Sequence, residues 1–324
     1  MTILITGGAG YIGGQTVLSF VDRGEIPVVL DDLSTGNRRA VPPNVPFYLG
    51  DVGDTELMLR IFEAHAIDSI LHFAAKLVVP ESMVDPLAYY LNNTVKTRAL
   101  LEAAVTGKIR HFVFSSTAAV YGNPNSLTVN EQASPSPLSP YGMSKLMSEY
   151  ILRDTAAAYD LNYVILRYFN VAGADPICRH GQSTSNATHL IKVAIETALG
   201  RQPHMKIFGN DYATPDGTCV RDYVHISDLA NAHLIALDHL RRGGESQLLN
   251  CGYGRGYSVK EVIAAVRSIT GVDFEVHQGP RRAGDPASLI ANNDGLVRLG
   301  WKPELNDLPT IVSHALAWEK SCRV

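Results

Sequence analysis

A short apolar run followed by three evenly spaced glycines opens this chain and constrains its fold more than any other segment. Ile3–Ile5 is long enough for one buried strand, and Gly7, Gly10 and Gly13 follow where a strand hands over to a helix. Without side chains at these positions a phosphate can approach the backbone. The new helix then directs its free N–H groups and the positive end of its dipole toward that phosphate. The spacing predicts a strand, a phosphate-binding turn and a helix.

An acidic pair follows at the distance typical of a dinucleotide site. Asp31 and Asp32 end a second apolar run, Val28–Leu30, eighteen residues after Gly13. A carboxylate there can accept hydrogen bonds from both hydroxyls of an adenosine ribose, and it repels a 2′-phosphate. The simpler alternative is a glycine-rich turn followed by a solvated acid. It does not explain why a strand, the three glycines, a helix and the acid follow one another in this order. We therefore expect a bound dinucleotide, NAD in preference to NADP.

The composition is that of an ordinary globular protein. The chain has 324 residues, enough for a large core, and 46% of them are apolar. A net charge of −4, from 28 basic and 32 acidic residues, makes nucleic acid an unexpected partner. No apolar stretch or N-terminal pattern indicates a membrane span or signal peptide, so no membrane partner is expected. The four cysteines lack disulfide or metal-ligand spacing, which predicts free thiols, no metal and a cytoplasmic location.

The first half of the chain alternates short apolar runs with stretches of helical periodicity. The predicted strands are Thr2–Thr6, Val28–Leu30, Phe47–Leu49, Ile70–Phe73, Phe112–Ser115 and Val164–Arg167. The predicted helices are Ile12–Arg23, Thr55–His65, Pro86–Thr106 and Tyr141–Tyr159. This alternation is typical of an α/β protein with a doubly wound, Rossmann-like parallel sheet, in which ligands bind outside the carboxyl ends of the strands.

The second half is richer in loops, which is typical of a pocket built over a rigid scaffold. We predict an NAD-binding domain over residues 1–170, to which residues 219–251 return. Residues 171–218 and 252–324 are predicted to form a smaller C-terminal αβ domain that binds the substrate.

A tyrosine and a lysine four residues apart, Tyr141 and Lys145, lie on one face of a predicted helix. Free tyrosine has a pKa of about 10, and a nearby ammonium favours the phenolate and lowers that pKa. The hydroxyls of Ser115 and Thr117 close a predicted strand, where they can relay a proton to Tyr141. An exposed Tyr/Lys pair occurs often by chance and strand-end hydroxyls often only cap the backbone. Together with the dinucleotide pattern, however, these residues predict general-base catalysis.

Several segments, in order, resemble the extended short-chain dehydrogenase/reductase family. They are Thr6–Gly13, Phe73–Ala75, Tyr89–Asn93, Phe114–Gly122 and Tyr141–Lys145. Three further segments are similar to the UDP-glucose 4-epimerases within that family, namely Tyr168–Ala174, Phe208–Tyr212 and Asp216–Ala230. The match covers nearly the whole chain.

This resemblance implies roles for individual residues. The implied cofactor-binding residues are Gly7, Gly10, Tyr11, Ile12 and Gly13 at the pyrophosphate, Asp31 at the ribose with Asp32 beside it, Asp51 and Val52 at the adenine, Phe73, Ala74, Ala75 and Asn92 along the cofactor, Phe169 at the nicotinamide, and also Ser115, Tyr141 and Lys145. The implied substrate-binding residues are Asn170 at phosphate or sugar, Arg221 and Arg282 at the UDP diphosphate, Asp285 at the uridine ribose, and also Thr117, Tyr141, His189, Leu190, Phe208 and Leu289. The implied catalytic residues are Tyr141, Lys145 and Thr117.

The sequence departs from the family pattern at three positions. Many members have a lysine four residues after the phenylalanine that Phe73 matches, whereas Lys76 comes one residue earlier here. His189 stands where an asparagine often contacts the diphosphate. Leu289 replaces a bulky tyrosine that some members place against the sugar, which predicts room for an N-acetyl group unless neighbouring side chains fill the gap.

The resemblance implies that the chain interconverts UDP-galactose and UDP-glucose by transient oxidation at C4 with bound NAD, hydride returning to the opposite face. A 4,6-dehydratase needs an Asp-Glu pair after the strand-end threonine, whereas Ala118 and Ala119 follow Thr117 here. A UDP-glucuronate decarboxylase is a further alternative. A non-enzymatic, dinucleotide-sensing regulator on the same fold characteristically lacks the tyrosine or the lysine, and this chain has both.

The chain is also expected to form a homodimer. The predicted helices Pro86–Thr106 and Tyr141–Tyr159 have apolar residues on more than one face, Leu91 and Val95 among them. One face would cover the sheet, and the other would pack in a four-helix interface, as the resemblance implies.

Overall fold

A parallel sheet between two layers of helices forms the larger part of the computed structural model, which describes residues 2–124, 126, 128–183, 188–282 and 285–322. The strands are β1 Thr2–Thr6, β2 Val28–Asp31, β3 Phe47–Leu49, β4 Ile67–His72, β5 His111–Thr117, β6 Thr128–Val129, β7 Asn162–Tyr168, β8 Asn170–Ala172, β9 Met205–Phe208, β10 Val220–His225, β11 Gln247–Cys251, β12 Gly256–Ser258, β13 Val276–Gly279 and β14 Ser288–Ala291. The helices are α1 Tyr11–Asp22, α2 Thr55–His65, α3 Val79–Val84, α4 Pro86–Tyr89, α5 Lys96–Thr106, α6 Pro140–Ala158, α7 Leu190–Ala198, α8 Ile226–Arg241, α9 Val259–Thr270, α10 Asp294–Arg298 and α11 Leu308–Ser321.

The large sheet contains, within the described residues, seven parallel strands in the order β11-β7-β5-β4-β1-β2-β3. The chain leaves β1 toward one edge through β2 and β3 and then returns to the other side at β4. Ligands of doubly wound sheets bind at this reversal, outside the carboxyl ends of the strands. The predicted Rossmann-like fold class is confirmed.

Strand side chains alternate between two cores, one on each face of the large sheet. Ile3 and Ile5 of β1 pack with α1 and α8 on one face. Leu4, between them, packs with α2 and α5 on the other face. Because both faces of the strand are buried, its residues form a continuous apolar run in the sequence.

The boundary between the two parts of the chain differs from the prediction. Val220–His225, which was expected to return to the large domain with residues 219–251, instead pairs with β8, β12 and β14 in a smaller sheet. Only α8 and β11 of that segment join the large sheet or its helices. Thr128–Val129, from the first half of the chain, pairs with β14 in the smaller sheet. Strand partners this far apart in sequence leave no local pattern that predicts the pairing.

The helix predicted over Pro86–Thr106 is interrupted. Tyr90–Val95 forms a π-helical turn between α4 and α5. Such turns accommodate one extra residue within a helix and are frequent at functional sites. No helix within the described residues has the length and apolar character needed to cross a membrane.

Candidate active site

The glycine turn lies at the reversal point of the large sheet and leaves no room for side chains. Gly7 has a φ of +73°, and a Cβ there would lie 2.6 Å from the backbone nitrogen of Ala74. A Cβ on Gly13 would lie 2.2 Å from the Gly7 carbonyl oxygen. Gly10 immediately precedes α1, so the first N–H groups of that helix point toward the bare turn. This cradle fits the pyrophosphate of a dinucleotide.

The acidic pair divides into one buried and one exposed carboxylate. Asp31 is 7% exposed and accepts hydrogen bonds from the backbone N–H groups of Ala9 (2.9 Å) and Leu33 (2.8 Å). Its burial raises the carboxyl pKa. One bond to each oxygen leaves lone pairs for two further donors, as a ribose diol requires. Asp32 is exposed and accepts from the Ser34 backbone and hydroxyl, so its carboxylate shapes the following turn.

The residues predicted at the adenine follow β3. Asp51 forms an ion pair with Lys96 and accepts a hydrogen bond of 2.8 Å from the Gly53 N–H group, while Val52 is buried.

The segments after β4 and β7 supply other predicted cofactor residues. The Phe73 ring packs against His233 with centroids 4.6 Å apart, and the half-buried Ala74 and Ala75 follow it. Phe169 is buried beside the end of β11, where its N–H group donates to the Cys251 carbonyl.

The π-helical turn presents Asn93, and not only Asn92, to the site. The Asn93 side chain accepts from the Lys76 N–H group (2.8 Å) and donates to the Lys76 carbonyl (2.9 Å) and to the Ser144 hydroxyl (3.1 Å). Asn92 lies half-buried beside it and donates to the Asn93 amide oxygen at 3.2 Å. The turn therefore ties the segment after β4 to α6. The Lys76 ammonium itself points to Glu81 at 3.1 Å.

A buried histidine connects this turn to the glycine loop. The Thr97 hydroxyl donates to the Asn93 carbonyl at 2.6 Å, so it accepts from Nε2 of His72, which lies 2.9 Å away. Nδ1 of His72 then accepts from the Thr6 hydroxyl at 2.7 Å. Burial lowers the His72 pKa to about 3, so the ring is neutral and links β1, β4 and α5.

Tyr141, Lys145 and Thr117 come together at the carboxyl edge of the sheet. Tyr141 stands in the first turn of α6, which begins after a Ser139 cap, and all three side chains are buried. The Thr117 hydroxyl lies beside that of Tyr141 and favours its phenolate, and Ser115 lies beside the Tyr168 hydroxyl. A proton can therefore pass between Thr117 and Tyr141.

The electrostatics of this trio differ from the prediction. With only protein groups around it, burial raises the pKa of Tyr141, whereas the sequence predicted that Lys145 lowers it. Burial also lowers the pKa of Lys145 to about 7, and its ammonium lies 4.2 Å from the centre of the Phe114 ring. For both groups, burial destabilises the charged form more than one neighbour on the same helix stabilises it, so burial decides the direction of the pKa shift.

The predicted diphosphate and sugar residues lie on the smaller sheet and its loops. Arg221 on β10 approaches Asp285 at 3.5 Å. Leu289 on β14 pairs in register with Arg221, so these two side chains are neighbours. The Arg282 guanidinium lies over the Phe208 ring at 3.8 Å from its centre. Residues 283 and 284, between Arg282 and Asp285, lie outside the described residues.

A small cavity of about 30 Å³ lies between the start of α1, β8, α7 and α11. The predicted residues Tyr11, Asn170, His189 and Leu190 all line it, together with Trp318. Nδ1 of His189 accepts from the Gln182 amide at 2.7 Å, and burial lowers the His189 pKa. A neutral imidazole thus stands at the start of α7.

The Tyr11 hydroxyl itself donates to the Gly173 carbonyl at 2.6 Å. This bond joins the first turn of α1, where Ile12 follows Tyr11, to the loop after β8.

Comparison with known proteins identifies the family of this chain. Residues 3–252 match the model of the NAD-dependent epimerase/dehydratase family. A UDP-glucose 4-epimerase of Azospirillum brasilense is 53% identical over 320 residues, which are 98% of this chain and 92% of that protein. The chain belongs to the NAD-dependent epimerase/dehydratase family. The family resemblance inferred from the motifs is confirmed.

Solved structures of similar proteins superpose on this epimerase/dehydratase over nearly its full length. The UDP-glucose 4-epimerase of Brucella ovis, solved in complex with NAD, is 41% identical with a TM-score of 0.94, over 98% of this chain and 97% of that one. The UDP-Glc/GlcNAc 4-epimerase of Campylobacter jejuni is 47% identical with a TM-score of 0.86, over 99% of both chains.

Two features of this epimerase/dehydratase site escaped the sequence analysis. The Asn93 contacts depend on a π-helical turn that helical periodicity does not reveal. Glu149 is buried on α6 four residues after Lys145, in an ion pair with Arg167. The spacing of Tyr141, Lys145 and Glu149 places all three on one helix face, and this regularity was the available signal.

Proposed function

We propose that this epimerase/dehydratase interconverts UDP-galactose and UDP-glucose with bound NAD. The observation that carries the proposal is the neighbouring pair Tyr141 and Thr117, buried with Lys145 at the same sheet edge as the glycine turn. The UDP-glucose 4-epimerase relatives and the NAD complex of the Brucella ovis protein support the choice of reaction and cofactor.

The cofactor residues of this chain act by binding and orientation. The bare turn formed by Gly7, Gly10 and Gly13 would receive the pyrophosphate, and Asp31 would accept the ribose hydroxyls. When bound, NAD supplies a hydride acceptor for C4 of the hexose and a donor for the return of that hydride. Since each turnover restores the cofactor, no second redox substrate is needed.

Proton transfer is assigned to Tyr141. Its hydroxyl, as the phenolate, takes the proton of the sugar 4-hydroxyl either directly or through Thr117, and gives it back after the hexose has turned. Burial opposes the phenolate, so a positive charge near the ring is required to form it. Lys145, in the next helical turn, supplies one such charge when it is protonated.

The smaller sheet holds the rest of the substrate. Arg221 and Arg282 suit the two phosphates of UDP because a guanidinium binds a phosphate through two parallel hydrogen bonds. Asp285, next to Arg221, is assigned to the uridine ribose, and Phe208 to the same end. Asn170, His189 and Leu190, which line the small cavity beside Tyr11, are assigned to the substrate as well.

The test is incubation of the purified protein with UDP-galactose and no added cofactor. We expect UDP-glucose to accumulate until the two sugars reach equilibrium, with no net change in redox state. A 4-keto-6-deoxy product would instead indicate a dehydratase, and no turnover after loading with NAD would refute the proposal. The buried Ala118 and neighbouring Ala119, in the turn after Thr117, supply no carboxylate for dehydration.

We infer a second substrate, UDP-N-acetylglucosamine, from the position of Leu289. Its side chain is the neighbour of Arg221 and lacks the ring and hydroxyl of a tyrosine. The bifunctional Campylobacter jejuni relative, at 47% identity, supports this activity.

Leu289→Tyr is expected to lower kcat/KM for UDP-N-acetylglucosamine by about 10- to 100-fold and to leave UDP-glucose turnover nearly unchanged, because only the larger sugar meets the added ring. Ile290→Val on the same strand is the matched control. Leu289 is only 7% exposed, so its neighbours already pack around it. An unchanged ratio of the two kcat/KM values would show that these neighbours, and not Leu289, set the pocket width.

We propose that the protein is a homodimer through α4, the π-helical turn and α6. Leu87, Leu91 and Val95 follow at intervals of four and are 78%, 55% and 53% exposed. Met147 and Tyr150 on α6 add exposed apolar surface at 43% and 46%. Contiguous exposed apolar side chains of this kind mark an interaction surface. Two such helix pairs form a four-helix interface when they meet across a twofold axis.

Leu91→Asp is expected to shift the protein from dimer to monomer at micromolar concentration, since it buries a charge at the centre of that surface. Sedimentation velocity measures the shift. Val297→Asp on α10, where Val297 is 48% exposed, is the control and is expected to remain dimeric. A wild-type monomer at the same concentration would refute the interface.

We propose a cytoplasmic location because the cysteines form no disulfide bond. Cys178, Cys219, Cys251 and Cys322 are all free, as suits a reducing compartment.

A further inference from the structure

An ion pair outside the catalytic cluster joins the loop after β3 to the first turn of α5. The Lys96 ammonium donates to Oδ2 of Asp51, and the Gly53 N–H group donates to Oδ1 of the same carboxylate at 2.8 Å. The side chain of Lys96 is 23% exposed and that of Asp51 is 43% exposed. One bond to each oxygen fixes the orientation of the carboxylate and leaves about two lone-pair sites for other donors.

Two local features direct Lys96 to this loop. Its stem passes over Gly53, where a Cβ would lie 3.2 Å from the Lys96 Cγ atom. The π-helical turn Tyr90–Val95 ends immediately before Lys96. One additional residue in a turn rotates the following helix by about 100°, so the direction of the Lys96 side chain depends on that turn. The next residue, Thr97, lies 2.9 Å from Nε2 of His72, so the first turn of α5 contacts two parts of the cofactor edge.

The carboxyl ends of β1, β2 and β3 arrange the parts of a dinucleotide along this edge. The glycine turn follows β1, Asp31 ends β2, and Asp51 follows β3 by two residues. Asp31 pairs in register with Leu49 of β3, and the Asp31 carbonyl accepts from the Gly50 N–H group at 3.2 Å. With the pyrophosphate at the glycine turn and the ribose at Asp31, the attached base extends toward Asp51. The inference below rests on this proposed placement of NAD.

We propose that Lys96 is a positioning residue: it holds the Asp51 carboxylate toward the C6 amino group of adenine, and the site thereby selects NAD over its hypoxanthine analogue. An amino group donates a hydrogen bond, whereas a carboxylate only accepts one. Hypoxanthine has a carbonyl at C6, which would face the Asp51 carboxylate without a hydrogen bond.

The second bond to the carboxylate is what makes Lys96 matter for selection. A half-exposed carboxylate that is held only by the Gly53 N–H group can turn away from an unsuitable base. With Lys96 on its other oxygen, it stays in place. An ion pair this exposed contributes little to the free energy of unfolding. Removal of Lys96 should therefore change the choice of cofactor and leave the fold intact.

The experiment is an exchange competition with the holoenzyme. The protein is incubated with equal concentrations of NAD and nicotinamide hypoxanthine dinucleotide until the bound ratio no longer changes. It is then separated from free dinucleotide and denatured, and chromatography measures the two released dinucleotides. The variants are Lys96→Met, Lys96→Arg and Asp51→Ala. Lys206→Met is the matched control, because Lys206 is exposed on β9 of the smaller domain.

We expect the wild type and Lys206→Met to retain mainly NAD. Lys96→Met is expected to lower that preference about tenfold, which is about the effect of one hydrogen bond to a charged group. Lys96→Arg should restore most of it, since a guanidinium also pairs with a carboxylate. Asp51→Ala should lower the preference at least as far as Lys96→Met does. The Tm of Lys96→Met should stay close to that of the wild type.

An unchanged ratio in Lys96→Met would show that the ion pair has no part in selecting the base. A stronger preference for NAD would show that Lys96 competes with adenine for Asp51. Loss of total dinucleotide at a constant ratio, with a lower Tm, would make Lys96 merely structural. A wild type without any preference would refute the placement of adenine at Asp51, and the proposal with it. NAD-selective protein without epimerase activity would refute only the proposed function, because the bound ratio does not depend on turnover.

Discussion

Tyr141→Phe is expected to lower kcat for UDP-galactose by about 10²- to 10⁴-fold, the usual contribution of a positioned general base. Phenylalanine preserves the ring that packs at the start of α6 but removes the hydroxyl beside Thr117. The affinity for UDP should hardly change, because the arginines assigned to the diphosphate lie on the smaller sheet and its loops. Steady-state kinetics and calorimetric titration with UDP measure the two quantities.

Tyr159→Phe is the matched control, since Tyr159 is 57% exposed just after α6 and should leave both quantities unchanged. Equal losses of turnover and UDP affinity in Tyr141→Phe would show that Tyr141 is a binding residue and not a catalytic one.

Gly13→Ala is expected to abolish most NAD retention. The new Cβ would lie 2.2 Å from the Gly7 carbonyl oxygen, so the turn that receives the pyrophosphate has to open. Overpacking of this kind usually lowers the free energy of unfolding by about 1–3 kcal/mol, and a comparable loss in cofactor binding raises Kd by about 5- to 150-fold. The measurements are the NAD content of the purified protein and its Tm.

Gly10→Ala provides a graded comparison within the same turn. Its Cβ would approach the Gly7 oxygen only to 3.2 Å, and its φ of −81° suits any residue. We therefore expect a much smaller loss of NAD than in Gly13→Ala. Similar NAD content in wild type and Gly13→Ala would show that the turn does not bind the pyrophosphate.

Local patterns in the sequence were enough to predict the large sheet and the center of the site. The strand, glycine turn and acid at residues 2–31, and the four-residue spacing of Tyr141 and Lys145, each depend on neighbours in the chain. Their geometry follows directly from strand and helix periodicity. The confirmed fold class and family rest on these segments.

The features that were missed or misplaced depend on contacts between distant segments. β6 and β14 pair although more than 150 residues separate them. β10 pairs with β8, although the two strands were expected in different domains. The raised pKa of Tyr141 has the same origin, since burial by the assembled fold outweighs the one neighbour visible in the sequence. The π-helical turn needs one residue more than an α-helical turn, and composition does not show where that residue is inserted.

The crossing of the chain between its two sheets has a consequence for synthesis on the ribosome. β7 ends at Tyr168, yet its edge partner β11 begins at Gln247, after strands of the smaller sheet have been made. Until then the nascent chain has an apolar strand edge, Val164–Leu166, without its native partner. Such an edge can pair with another unfinished chain. Truncation before Cys251 should therefore yield aggregated protein, and co-translational chaperones would be needed most during synthesis of residues 169–251.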